Sequence, residues 1–164
     1  MSFQDFPPIE ELIPHRHPHR HVSRMVSLDG TRAVAEGDFK PEDVAGHFPG
    51  RPIVPGVVMV EALAQTLCAM ATLAGERGQA VLTGVEKARF RGIVVPPCTL
   101  RYEVEVSERR FGVTWAKGRV LRDGECVCTA TLQAAIVSES VVLAAIGAAG
   151  AAGSSNGARG PAEA

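Results

Sequence analysis

The stretch GVVMVEALAQTLCAMATLAG, residues 56–75, is the longest apolar run in the chain, and the fold is read from it. From Val57 to Ala74 there is no internal glycine or proline, which predicts one long helix. Gly75 stops it, and Arg77-Gly78 continues the turn. Apolar residues fall nearly all round this helix, so it should be buried on most sides. The run is long enough to raise the question of a membrane span, but Glu61, Gln65 and Thr66 interrupt it. A carboxylate in the first turns favours the core helix of a globular protein.

Immediately before the helix stands GHFPGRPIVPG, residues 46–56. Prolines at 49, 52 and 55 exclude a helix here and favour an extended, surface-tracking backbone. After the helix, Ala80–Phe90, Leu100–Arg109, Gly112–Leu121 and Glu125–Val137 read as strands. Leu100, Tyr102, Val104 and Val106 alternate with Arg101, Glu103 and Glu105, the pattern of a half-buried strand. Arg122-Asp123-Gly124 signals a hairpin, and Arg110-Phe111-Gly112 a weaker one. Upstream, Val22–Leu28 and Thr31–Phe39 are shorter runs joined by Asp29-Gly30, and Ile9–Ile13 is a short helix ended by Pro14. Two strands, one long buried helix and four long antiparallel strands predict a sheet wrapped around a single helix. That is the hotdog architecture of the α+β class.

The chain has 164 residues, 46% hydrophobic and 21% charged, with a formal net charge of −1. These values fit one globular domain and give no overall basic field for nucleic acid. Acidic residues and prolines at the N-terminus, where a signal peptide needs a basic region and an apolar run, make a cytoplasmic protein the expectation. Residues 1–8 read as a loose lead-in and 9–138 as the domain. From 139 the composition turns to Ala, Gly and Ser; Val141–Ile146 is expected to pack weakly on the sheet, with disorder from about residue 147. The four cysteines form no CxxC pair. Cys126 and Cys128, two apart in a strand, should share one face, as a metal or redox pair or, more simply, as small packing residues.

Three positions carry chemistry. Glu61 is a carboxylate inside an apolar helix, costly unless paired, neutral or useful; burial favours its neutral, proton-donating form. The alternative is a helix-start glutamate that favours the dipole or points to water. Gln65, four residues on, shares its face and is placed to orient the carboxyl. His47, in the loop feeding the helix, suits proton removal near neutral pH, although a histidine beside Phe48 also serves as a structural residue. At the helix start, the amides of Gly56 and Val57 can stabilise a developing oxyanion, and Gly56 lets a substrate approach; Pro55-Gly56 also simply makes the turn. Were His47 to Pro55 extended, the eight steps would span roughly 25 Å, carrying His47 away from Glu61 of the same chain. A symmetric dimer would reunite them.

GHFPGRPIVPGVVMVEALAQ, residues 46–65, resembles the signature of the FabZ-type 3-hydroxyacyl-[acyl carrier protein] dehydratases. LIPHRHP near the start and GVEKARFRGIVVPP at 84–97 resemble segments of the same family, extending the similarity over about residues 9–137. The resemblance implies a hotdog fold, built of dimers that assemble into hexamers, with the catalytic His and Glu supplied by opposite subunits. On this sequence they correspond to His47 and Glu61, with the oxyanion amide at Gly56 and supporting roles for Gln65, Phe48 and Pro55. Glutamate at 61 and the GHFPGRP loop favour the FabZ branch over the FabA dehydratase-isomerases. It also implies an acyl carrier protein as partner and no metal or organic cofactor. Lys87, Arg89 and Arg91 alternate along one strand and so share a face, as a docking patch for the acidic carrier or as a solvated strand face.

One segment departs from the family. PHRHPHRHVSRM, residues 14–25, places His17, His19 and His21 where aromatic or aliphatic residues are usual, and Ser23 where aspartate is usual. With His15 these form an alternating histidine run, read either as metal ligands or as a wetter first strand. The run leaves the natural acyl chain and pathway, fatty acid or polyketide, open. Two rivals remain: a hotdog thioesterase, and an inactive scaffolding subunit.

Overall fold

The computed structural model describes residues 5–138 and 140–146. After the short helix α1 (Ile9–Leu12) come β1 (Arg24–Asp29) and β2 (Arg32–Phe39). A 3-10 turn (Pro41–Val44) follows, then α2 (Gly56–Leu73). Four long strands complete the domain: β3 (Gln79–Phe90), β4 (Cys98–Arg110), β5 (Val113–Arg122) and β6 (Glu125–Val137). They form one antiparallel sheet in the order β1-β2-β4-β5-β6-β3. The sheet curls around α2, which touches every strand. This is the expected hotdog fold.

The alternation in β4 shows why the sheet wraps. Leu100, Tyr102 and Val104 are buried against α2, whereas Arg101, Glu103 and Glu105 face outward. From the helix, Met59, Ala62, Leu63, Leu67 and Met70 fill the space between sheet and helix, joined by Val120 and Leu132. Each large apolar side chain buried there contributes about 1.5–3 kcal/mol. Outside, Arg119 and Arg101 pair with Glu103 at 2.6 and 3.3 Å, and Arg24 with Glu36 at 2.6 Å. Such exposed pairs are worth about 1 kcal/mol or less each, so the inner face carries the stability. By length and composition alone α2 passes for a membrane span, but its contacts make it the core helix.

Several sequence expectations need correction. The segment after His47 is not extended. The N–H of Phe48 donates to the Arg51 carbonyl at 3.0 Å, the N–H of Arg51 donates back at 2.9 Å, and Gly50 takes φ +73°. The chain thus doubles back, and the N–H of Ile53 reaches the His47 carbonyl at 2.7 Å. The premise of a 25 Å separation is lost. In the first hairpin Asp29 pairs with Arg32, so the loop is Gly30-Thr31, one residue later than expected. The histidine run does not lie in a strand, since β1 begins at Arg24 and residues 15–21 form the loop before it. Cys126 and Cys128 lose their shared face to a bulge, Val120 pairing with Cys128 but Leu121 with Cys126. Cys128 is buried and its thiol is pushed up to about 11, first by desolvation, which suits packing rather than thiolate chemistry.

Residues 140–146 are helical, with Val141, Leu143 and Ile146 exposed and Val142 half-buried. The expectation of disorder from residue 147 lies outside the described residues.

Candidate active site

His47 is fixed from several directions. Its N–H donates to the Val44 carbonyl at 2.8 Å, its carbonyl accepts from Ile53, and its Nδ1 lies 3.0 Å from the Ile53 carbonyl. A carbonyl only accepts, so Nδ1 carries the proton and Nε2 presents a free lone pair. The ring stacks on Phe48 with centroids 4.3 Å apart. It borders a cavity of 370 Å³ shared with His17, Arg20, His21, Asp43 and Val58. The doubled-back proline loop therefore holds a histidine in the tautomer that accepts a proton.

Helix α2 opens at Gly56. The Pro55 carbonyl receives the N–H groups of Val58 and Met59 at 3.0 and 3.4 Å, while the amides of Gly56 and Val57 precede any intrahelical acceptor. Val57 is 71% exposed. A Cβ at position 56 would lie 2.8 Å from the Phe90 ring, so Phe90 claims the close approach that glycine permits. Phe48, Val57, Phe90, Ile93 and Val95 are all exposed apolar residues.

Glu61 departs from expectation in one respect: in the single chain its side chain is 38% exposed, not buried. The buried partner is Gln65, at 1% exposure. Its Nε2 donates to Glu61 Oε1 at 3.0 Å and to the His19 carbonyl at 2.6 Å, while its Oε1 accepts the His21 N–H at 2.8 Å. Gln65 thus orients the carboxyl, as expected, and also ties the histidine loop to α2. The loop lies flat on β2 because Gly37 has no side chain; a Cβ there would stand 2.1 Å from the His21 carbonyl. His15 Nε2 approaches Glu61 Oε1 at 3.6 Å, a contact that no local spacing in the sequence reveals.

Glu61, His15 and Gln65 border a separate cavity of 220 Å³ with residues of β3. One chain therefore does not place His47 and Glu61 in a single cavity. Nor do Lys87, Arg89 and Arg91 form a regular row. A bulge falls between Glu86 and Arg89, Lys87 takes φ +53°, and Arg91 lies beyond the strand, bonded to the Thr129 hydroxyl at 2.9 Å. Their alternation is broken. Among the described residues no three metal-ligating side chains converge, so the histidine run has no metal-like geometry there.

His21 is held below its ordinary value, first by burial and further by His19 and His15, against the opposing pull of Glu61 and Asp43. A depressed histidine means that the unfolded chain takes up the proton first as pH falls. The resulting stability is present above about pH 6.5, the ordinary histidine value, and is lost progressively below it. Melting temperature should therefore fall on acidification from about pH 7.5 to 5.5, and His21→Gln should flatten that dependence. An unchanged slope in the variant would contradict this description of the loop.

Comparison with known proteins follows the same outline. Residues 13–131 match the family model described as a FabA-like domain. A 3-hydroxyacyl-[acyl-carrier-protein] dehydratase FabZ of Alkaliphilus metalliredigens is 38% identical over 135 residues, covering 79% of this chain and 92% of that protein. The FabZ of Chloroflexus aggregans is 41% identical over 133 residues, covering 78% and 92%. Among solved structures, the dehydratase heterocomplex ApeI:P from Xenorhabdus doucetiae superposes with a TM-score of 0.74 at 14% identity, covering 87% of this chain and 99% of that one. The last likeness speaks to the fold alone. Because the family model spans most of the domain and relatives near 40% identity match almost end to end, the chain belongs to the FabA-like family, alongside its FabZ dehydratases.

Proposed function

We propose that this chain is a hydro-lyase that converts (3R)-3-hydroxyacyl thioesters on an acyl carrier protein into the trans-2-enoyl thioesters. The observation that carries the reading is the Nδ1 contact of His47 with the Ile53 carbonyl, which leaves Nε2 as a base beside the helix that bears Glu61. The thioester carbonyl sits at the amides of Gly56 and Val57, which stabilise the enolate oxygen. His47 Nε2 takes the C2 proton. The released electron pair forms the C2–C3 double bond as the C3–O bond breaks, and the departing oxygen takes a proton from Glu61 to leave as water. Gln65 occupies Oε1, so Oε2 meets the hydroxyl. The thioester itself acidifies the α-carbon, and no cofactor enters the scheme.

Two chains share each site in this reading. His47 and Glu61 border different cavities of one chain, and β3 is an edge strand whose Val81, Leu82, Val85 and Phe90 are exposed. A long apolar edge calls for cover, and a second copy paired there by a two-fold axis supplies it. Trimerisation of such dimers gives the hexamer. Lys87, Arg89 and Arg91 stand near that edge as the docking group for the acidic carrier, and the cytoplasm is the compartment expected for such fatty acid or polyketide machinery.

Intact-mass spectrometry of a 3-hydroxyacyl carrier protein incubated with the enzyme tests the reaction. Loss of one water from the loaded carrier is expected. Release of the free carrier thiol would instead identify a thioesterase, and an unchanged mass an inactive scaffold.

A further inference from the structure

We propose that His15 is a positioning residue for Glu61, donating from Nε2 to the carboxyl oxygen that does not meet the substrate; this rests on the dehydratase reading above. Three observations converge. His15 Nε2 lies 3.6 Å from Glu61 Oε1, the same oxygen that accepts from Gln65, and among the described residues no protein group engages Oε2. The other ring nitrogen, Nδ1, is buried and has no hydrogen-bond partner among the described residues. The residue also borders the 220 Å³ cavity into which Glu61 opens.

The bare Nδ1 decides the tautomer. Burying an N–H without an acceptor costs more than burying an unused lone pair, and Nε2 has a carboxyl oxygen before it. The ring proton therefore belongs on Nε2, and His15 is a donor aimed at Glu61. A separation of 3.6 Å is too long for a hydrogen bond at rest, and it closes as charge develops on the carboxyl, the usual behaviour of catalytic contacts in an unliganded site. When Glu61 gives its proton to the departing hydroxyl, the carboxylate left behind is met by two N–H groups already in place, from Gln65 and His15. Their effect is greatest at the transition state, so they act on kcat rather than on substrate binding.

The ring is held to that task by its backbone. Arg16 folds over the turn and donates to the carbonyls of Ile13, His15 and Glu10 at 2.9, 2.8 and 3.0 Å. On the far side of the loop, Gln65 grips His19 and His21. His15 thus projects from a segment tied at both ends, one of them by the residue that also orients Glu61.

Steady-state kinetics on the full chain with a 3-hydroxyacyl carrier substrate separate the outcomes. His15→Ala should lower kcat by about 10- to 100-fold and leave KM within about twofold. His15→Gln, whose amide N–H falls near the Nε2 position, should recover most of the loss. In a Glu61→Gln background, measured under single turnover, His15→Ala should add little further loss, because its effect runs through Glu61. An active wild type with His15→Ala equal to it, or with the full loss repeated in the Glu61→Gln background, would overturn the role of His15 alone. A wild type that removes no water would overturn the parent reading and this one with it. Nitrogen-15 NMR of the unmodified protein gives an independent test that needs no variant: the Nε2–H tautomer of His15 is expected, and the Nδ1–H tautomer contradicts the proposal.

Discussion

Replacing His47 with alanine is expected to lower kcat for dehydration by about 10²- to 10⁴-fold. The loss has a single origin, since His47 Nε2 is the free lone pair of a ring whose Nδ1 is committed to Ile53. Of the other groups bordering that cavity, His21 is half-buried with its own proton affinity depressed, and Arg20 is paired with Glu10. Stability should change little. The ring contributes one hydrogen bond to a backbone carbonyl in a partly exposed loop, worth about 1 kcal/mol, and the backbone bonds of the turn remain. A variant with a near-native melting temperature and no water loss separates chemistry from folding. If the folded variant turned over at the wild-type rate, another base would have to be found.

Gln65→Leu should damage both stability and rate. Leucine keeps the volume of a side chain that is almost wholly buried, but it withdraws three hydrogen bonds at once. The His21 N–H and the His19 carbonyl then face an apolar side chain. An unsatisfied buried group costs about 1–3 kcal/mol, so a loss of about 2 kcal/mol or more is expected in denaturant unfolding. Glu61 simultaneously loses its 3.0 Å donor and its orientation, and kcat should fall by about 10- to 100-fold. Both readouts matter. Lost stability with normal kcat would mean that Gln65 only fastens the loop, and the reverse would mean that it only serves the carboxyl.

Much of the fold was legible because it is local. Helix α2 was expected at Val57–Ala74 and runs Gly56–Leu73, since an uninterrupted apolar run between a proline and Gly75 has few other outcomes. The Asp123-Gly124 turn falls where its dipeptide predicts, with both residues at positive φ. What the sequence concealed depends on partners far along the chain. The bulges near Lys87 and Cys126 arise from pairing with β6 and β5, and each destroys a two-residue alternation that looked sound in isolation. The doubling back after His47 needs Gly50 at positive φ and a pair of backbone bonds between Phe48 and Arg51, which proline spacing alone does not reveal.

The site was legible to a similar degree. His47, Gly56 and Glu61 stand out by chemistry and order, and Gln65 by its helical spacing from Glu61. Its grip on the loop at residues 19–21, some 44 to 46 residues upstream, was invisible. In the sequence His15 stands out only as part of a histidine run. Its relation to Glu61 exists because α1 and the following turn fold back against α2.

The central claim is that His47 of one chain and Glu61 of another dehydrate a carrier-bound 3-hydroxyacyl group together. Mixing the inactive His47→Ala and Glu61→Gln proteins, after dissociation and reassembly, tests it directly. Each mixed dimer would contain one intact site and one doubly defective site. Random exchange should therefore restore about a quarter of wild-type water loss. Mixed dimers that form and remain as inactive as their parents would contradict a site built from two chains.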